Sequence, residues 1–151
     1  MRRLALWVWA HLPCWLSAHL VWVLAAKLNV GVCALVLQDP EHVFLAAHTY
    51  KPAAPWQLPG GYLRAGEQPE AGLRRELQEE LGLMLQSCRL VQAAALPRHA
   101  TLVYLAEVSG TVVPSAEVAA WRAFPLAALP SSLPAEQRRA LLQVTGQTVA
   151  A

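Results

Sequence analysis

At 151 residues the chain is long enough for one domain with a proper core and too short for two of ordinary size. Its net charge of +2, with only 15% of residues charged, argues against electrostatic capture of nucleic acid. The three cysteines, Cys14, Cys33 and Cys88, are odd in number, far apart and form no C-x-x-C pair; they indicate neither a disulfide framework nor a zinc ribbon and read as small buried hydrophobes.

Residues 4 to 26, LALWVWAHLPCWLSAHLVWVLAA, contain no Asp, Glu, Lys or Arg, with Arg2 and Arg3 before them and Lys27 after. As a helix they would span about 34 Å, enough to cross a bilayer core. A cleaved signal peptide would share the basic start, but this apolar stretch is too long and too rich in Trp. Trp7, His11, Trp15, His19 and Trp22 recur at steps of four or three along one helical stripe. That stripe suits a membrane interface, while a helix packed on its own domain is the plainer alternative. Pro13 is expected to bend or split the helix. The chain therefore divides into an apolar N-terminal helix over 1–27, a candidate membrane segment, and a domain over 28–151.

The β-branched run 29–38, NVGVCALVLQ, predicts a buried strand closed by the turn residues DPEH. Residues 42–50 predict its hairpin partner. KPAAPWQLPGG, with three prolines and a Gly pair, reads as loop. Residues 68–82 predict a helix: Glu67 or Gln68 can start it, Pro69 fits its first turn, and Gly82 can end it. SCRLVQAAAL and HATLVYLAEVSG predict two strands, EVAAWRAFPLAALP a short strand and a turn, and residues 134–146 a closing helix. Strands around a central helix with another helix at the end define an α/β domain with a mixed sheet.

Charge is not spread evenly. Residues 60–83, GGYLRAGEQPEAGLRRELQEELGL, hold five glutamates and three arginines, half of the chain's ten acids. On the predicted helix Leu73, Leu77 and Leu81 form an anchoring stripe at steps of four. Glu76, Glu79 and Glu80, at i, i+3 and i+4, share a neighbouring face, where like charges repel and weaken the helix. Arg75 stands four residues before Glu79, but one arginine cannot neutralise three acids. A hard divalent cation can: Mg²⁺ takes carboxylate oxygens together with the oxygens of a substrate phosphate. Gly60 and Gly61 add a tight turn whose backbone can approach a ligand or metal closely. The plainer reading is a solvated helix whose acids are balanced by Arg74 and Arg75. The five histidines offer no H-E-x-x-H or other close ligand spacing.

Counted from Gly61, the order runs five residues, Glu67, seven residues, Arg75, Glu76, Leu77, one residue, Glu79, Glu80, one residue, Gly82, Leu83. This resembles the Nudix box, G-x(5)-E-x(7)-R-E-U-x-E-E-x-G-U with U aliphatic, at every fixed position. A weaker likeness runs from about Asn29 to about Gln143. The resemblance implies a Nudix fold, a mixed sheet sandwiched between helices. It implies Mg²⁺- or Mn²⁺-dependent hydrolysis of a nucleoside diphosphate linked to another moiety. By the family pattern, Glu76, Glu79 and Glu80 would bind metal with the Gly60 carbonyl. One of these glutamates, or a carboxylate beyond the box, would activate water. Arg75 would hold a glutamate in place, and Gly61, Glu67 and Gly82 would be structural parts of the box. A noncatalytic module that binds a nucleotide or tethers a partner is the alternative.

Substrate choice in this family lies outside the box. His48, Tyr50, Lys51 and Trp56 are candidates for contact with a base or phosphate, against a plainer role in hairpin packing. Pro97, 15 residues after Gly82, stands near a position that marks ADP-ribose hydrolases in the family. Glu107 and Glu117 are candidates for a further catalytic glutamate. With an intracellular substrate implied, the expectation for residues 4–26 is association with the cytoplasmic side of a membrane.

Overall fold

The computed structural model describes residues 13–17, 19, 28–51 and 56–146. In chain order the elements are β1 (Asn29–Leu35), β2 (Leu37–Asp39), β3 (His42–His48), β4 (Trp56–Gln57) and β5 (Gly60–Tyr62). Helix α1 (Pro69–Leu81) follows, then β6 (Met84–Ala95), β7 (His99–Ser109), β8 (Val118–Pro125), a 3₁₀ turn (Leu126–Ala128) and helix α2 (Ala135–Thr145).

Two four-stranded sheets result. The first runs β5-β1-β7-β6 and is mixed, because β1 and β7 are parallel while β1–β5 and β6–β7 are antiparallel. The second is built on β3, which takes β8 along one edge and β2 and β4 in succession along the other. β1 is buried on both faces, which is why its sequence is a continuous apolar run rather than an alternating one. Val32, Ala34 and Val36 face a core that includes Leu73, Leu77 and Leu81 of α1. Cys33 and Leu35 face a second core with Ala140 and Leu141 of α2. The period-two alternation of one central strand thus serves both helices, and the expected sheet layer between helices is present.

Some expectations need correction. The run 42–50 is not the hairpin partner of all of 29–38. Only β2 pairs with β3 in sequence, and β1 enters the other sheet between β5 and β7. The chain changes sheet at Val36, whose carbonyl still accepts the Phe44 N–H at 2.9 Å. The two faces of β1 are covered by α1 and α2, which places it in the sheet between the helices. The segment read as loop also contains β4 and β5, since Gly60 and Gly61 pair with Cys33 and Val32 despite their turn-like composition.

The predicted helix over 1–27 lies mostly outside the described residues. Cys14–Ser17 form one helical turn, with the N–H groups of Leu16 and Ser17 donating to the Pro13 carbonyl at 2.9 and 3.0 Å. Pro13 precedes this turn, where its missing N–H costs nothing. Among the described residues no helix is long and apolar enough to cross a membrane, and nothing supports the expected membrane association. Apolar composition alone does not separate a membrane segment from a packed one. The three cysteines are free, with Cys33 buried and its thiol pushed up to about 12 by that burial.

α1 is set by its own ends. Pro69 occupies the first turn, and Gly82 closes the helix in the left-handed region at φ 67°. Its three leucines are fully buried. Leu77→Ala is therefore expected to lower unfolding free energy by about 2–5 kcal/mol, read from urea titration, because the cavity opens between α1 and both sheets.

Candidate active site

The carboxylates of the box meet where the N-terminal half of β5 faces the last turns of α1. Gly60 stands at φ +144°, and a Cβ there would press on the Val32 carbonyl oxygen, so only glycine fits this backbone. A Cβ on Gly61 would lie 2.6 Å from both carboxylate oxygens of Glu76. The space a side chain would fill is the space Glu76 occupies. The Gly pair is thus the floor of the site.

Arg75 organises the acids. Its Nε and Nη2 donate to the two oxygens of Glu67 at 2.8 and 2.9 Å, a two-pronged bond that matches the planar guanidinium. Its Nη1 donates to Glu76 Oε1 at 2.6 Å and to Glu79 Oε2 at 3.1 Å, and Nη2 also reaches the Tyr62 carbonyl at 3.2 Å. One arginine holds three carboxylates, where sequence alone promised one. Arg64 supplies a second cation, with Nη2 3.2 Å from Glu79 Oε1 and its backbone N–H on Glu67 Oε2 at 2.8 Å. Arg74, expected to share the balancing, is exposed and lines a different groove with Met84 and Gln86.

Glu80 is set apart. It is only 4% exposed, and the Gly60 N–H donates to its Oε2 at 3.2 Å. Burial, reinforced by Glu76 and Glu117, pushes this carboxyl up to about 7, against the opposing pull of the Gly60 bond and Lys51. Glu117 comes close because the loop before β8 caps the end of α1. Val113 and Ser115 N–H groups donate to the carbonyls of Leu81 and Glu80, both at 2.8 Å. The orphan carbonyls of a helix end thereby recruit a loop that carries another acid. Glu107, the other candidate, is not brought here; it accepts from Ser87 Oγ at 2.8 Å on the far part of β7.

The substrate candidates separate. Lys51 and Tyr50 line a cleft of about 340 Å³ beside Gly60 and Gly61, along with Gln57, Tyr62, His99 and Glu136. Lys51 Nζ donates to Gln57 Oε1 at 3.0 Å. Trp56 is not among the lining residues: its ring packs edge-on against Phe124 at 4.8 Å and under the Arg122 guanidinium at 5.1 Å. His48 is buried, 3.5 Å from Glu80 Oε1, and burial followed by Lys51 pushes it down to about 4. Pro97 lies in the β6–β7 turn. The alternation of β3 could have pointed to His48, since it shares the parity of Phe44 and Ala46, which face α1.

The donor set suits a hard divalent cation. It offers only oxygen and is strongly negative, and burial, with Glu76 and Glu117 beside it, raises the Glu80 carboxyl. Among the described residues no three His, Cys, Asp or Glu side chains already converge on one point, and Arg75 engages Glu76 and Glu79.

A NUDIX domain family model matches residues 27–144, and the chain belongs to the Nudix family. An RNA pyrophosphohydrolase of Blochmanniella pennsylvanica is 38% identical over 73 residues, which cover 48% of this chain and 44% of that protein. The chain thus spans less than half the length of that relative. An 8-oxo-dGTP diphosphatase of Proteus vulgaris is 38% identical over 84 residues, covering 52% of this chain and 75% of its own. The crystal structure of a MutT NUDIX hydrolase from Burkholderia pseudomallei superimposes with a TM-score of 0.70 at 30% identity, covering 78% of this chain and 98% of that one. An ADP-ribose pyrophosphatase from Streptococcus suis, at 23% identity and TM-score 0.64 over 79% of this chain and 92% of that one, shares the fold.

The Arg75–Glu67 bond has a consequence for acid stability. Hydrogen bonds from Arg75 and from the Arg64 backbone hold Glu67 down at about 2. A carboxylate more acidic when folded contributes stability above its unfolded value and loses it as pH falls. Wild type should exceed Glu67→Gln in stability at pH 6, and the gap should shrink as pH drops from about 4.5 towards 2, measured by urea unfolding at each pH.

Proposed function

We propose that the chain is a divalent-metal-dependent pyrophosphohydrolase that cleaves a phosphoanhydride bond in a nucleoside diphosphate derivative. The observation that carries this reading is Glu80: a buried acid, pushed up to about 7, on a glycine floor shared with Glu76. Burying a carboxyl beside other carboxyls is costly for stability alone, and such displaced values concentrate at working sites. The relatives named as an RNA pyrophosphohydrolase and an 8-oxo-dGTP diphosphatase support the reaction class.

Glu76, Glu79 and Glu80, with the Gly60 carbonyl, would hold Mg²⁺ or Mn²⁺. A cation held there would screen phosphate oxygens and make a water molecule more acidic. The chain's own groups do the rest. Arg75 fixes Glu67, Glu76 and Glu79 relative to one another, so that little reorganisation is needed when the substrate arrives. Lys51 offers a positive charge to a phosphate, and the exposed rings of Tyr50 and Tyr62 offer faces for a base at the cleft. Glu117 is exposed and near enough to raise Glu80, and it serves as acceptor for the proton of the attacking water. Attack at phosphorus then breaks the bridging P–O bond and releases a phosphate-bearing product.

The test is a panel of nucleoside triphosphates, 8-oxo-dGTP, 5′-triphosphorylated RNA and ADP-ribose with Mg²⁺, scored for released phosphate products. Glu79→Gln with Glu80→Gln should abolish measurable turnover while leaving the circular dichroism spectrum unchanged. Glu117→Gln should lower kcat by about 10²–10⁴-fold, and Glu107→Gln should leave it unchanged. Preserved turnover in the double variant would remove the assignment.

A further inference from the structure

His48 ends β3, and its side chain is 1% exposed. Among the described residues its Nδ1 is the buried side-chain polar atom that lacks a hydrogen-bond partner. Buried polar atoms are almost always paired, so an orphan beside a working site calls for a reason. The Glu80 side chain, 5% exposed, faces it with Oε1 at 3.5 Å. The other oxygen, Oε2, already accepts the Gly60 N–H. Two buried groups thus stand a few tenths of an ångström from a bond that would complete both.

The alternation of β3 sets this encounter. The pairing of β3 with β8 slips between Ala47 and His48, from Ala47↔Ala120 to His48↔Val118. The extra residue, Ala119, stands on β8, so β3 keeps its alternation through His48 and carries the imidazole on the same face as Phe44 and Ala46, towards α1. The Tyr50 ring, 5.3 Å from the imidazole ring, packs against it.

We propose that His48 is a positioning residue whose Nδ1–H donates to Glu80 Oε1, so that Glu80 is gripped from both sides, by Gly60 N–H and by imidazole. This rests on the reading of Glu80 as a metal ligand. A neutral donor suits the role: it orients an ionised carboxylate without adding a positive charge that would compete with the cation. The sequence placed His48 among the substrate contacts; its burial behind Glu80 assigns it to the ligand instead.

Histidine labelled with ¹⁵N in the full chain reports the tautomer directly, with the His48→Asn spectrum assigning the signal. At pH 8 without metal, His48 should be in the Nδ1–H form and should lose that preference in Glu80→Leu; an Nε2–H form in the wild type overturns the proposal. Mn²⁺ uptake, followed by electron paramagnetic resonance, should weaken about tenfold in His48→Leu and recover in His48→Asn, whose amide nitrogen stands near the place of Nδ1. With 8-oxo-dGTP as probe, His48→Leu should lower kcat with KM unchanged, and His48→Asn should restore it. Equal losses in Leu and Asn variants overturn the proposal. If no nucleotide is turned over, the enzymatic reading fails while the tautomer still decides the role of His48. If His48→Leu does not fold, the wild-type tautomer decides alone.

Discussion

One guanidinium holds this site together. Arg75 contacts Glu67, Glu76 and Glu79 at 2.6–3.1 Å, and without it those acids would repel across a few ångströms of partly desolvated space. A pair of like charges 4 Å apart near a protein surface costs about 4 kcal/mol. Three acids around one cation leave a negative excess even after Arg64 joins, and Glu80, which no arginine reaches among the described contacts, is pushed up first by its burial and then by Glu76 and Glu117. The site is therefore stable enough to fold and still short of positive charge. That shortfall is what the proposed divalent cation would offset.

The rest of the fold keeps that imbalance in register. Leucines on one flank of α1 bury against β1, which fixes the height of the acidic flank over the Gly60–Gly61 floor. The floor is itself clamped, since the Pro59 carbonyl accepts from Ala34 N–H and Gln137 Oε1 accepts from Leu58 N–H, both at 2.8 Å. Gln137 is buried on α2, so the helix on the far side of the sheet also positions the carboxylates. The loop before β8 closes the C-terminal end of α1 and brings Glu117 towards Glu80.

What was legible in the sequence follows local rules. Pro69, Gly82 and the leucine spacing mark α1 almost to the residue, because caps and periodicity act over one or two turns. The glycine pair and the order of acids identified the floor and the flank. What was not legible depends on contacts distant in sequence. The exchange of β1 from a hairpin into the other sheet rests on pairing with β5 and β7, which lie far along the chain. His48 and Trp56 looked alike as candidates, and only packing separates a histidine turned to Glu80 from an indole turned to Phe124. Glu117 and Glu107 were equivalent until a helix-capping loop brought one of them near. The apolar composition of residues 4–26 specified no partner.

In the proposed function this cluster holds a divalent cation against a substrate's phosphates. Calorimetric titration of the folded chain with Mg²⁺ at pH 8, beside a nonhydrolysable nucleoside triphosphate, tests it most directly. Saturable heat that disappears in Glu80→Gln is the predicted result. Folded protein that takes up no Mg²⁺ with the nucleotide present would contradict the claim and leave the acids as a solvated helix face.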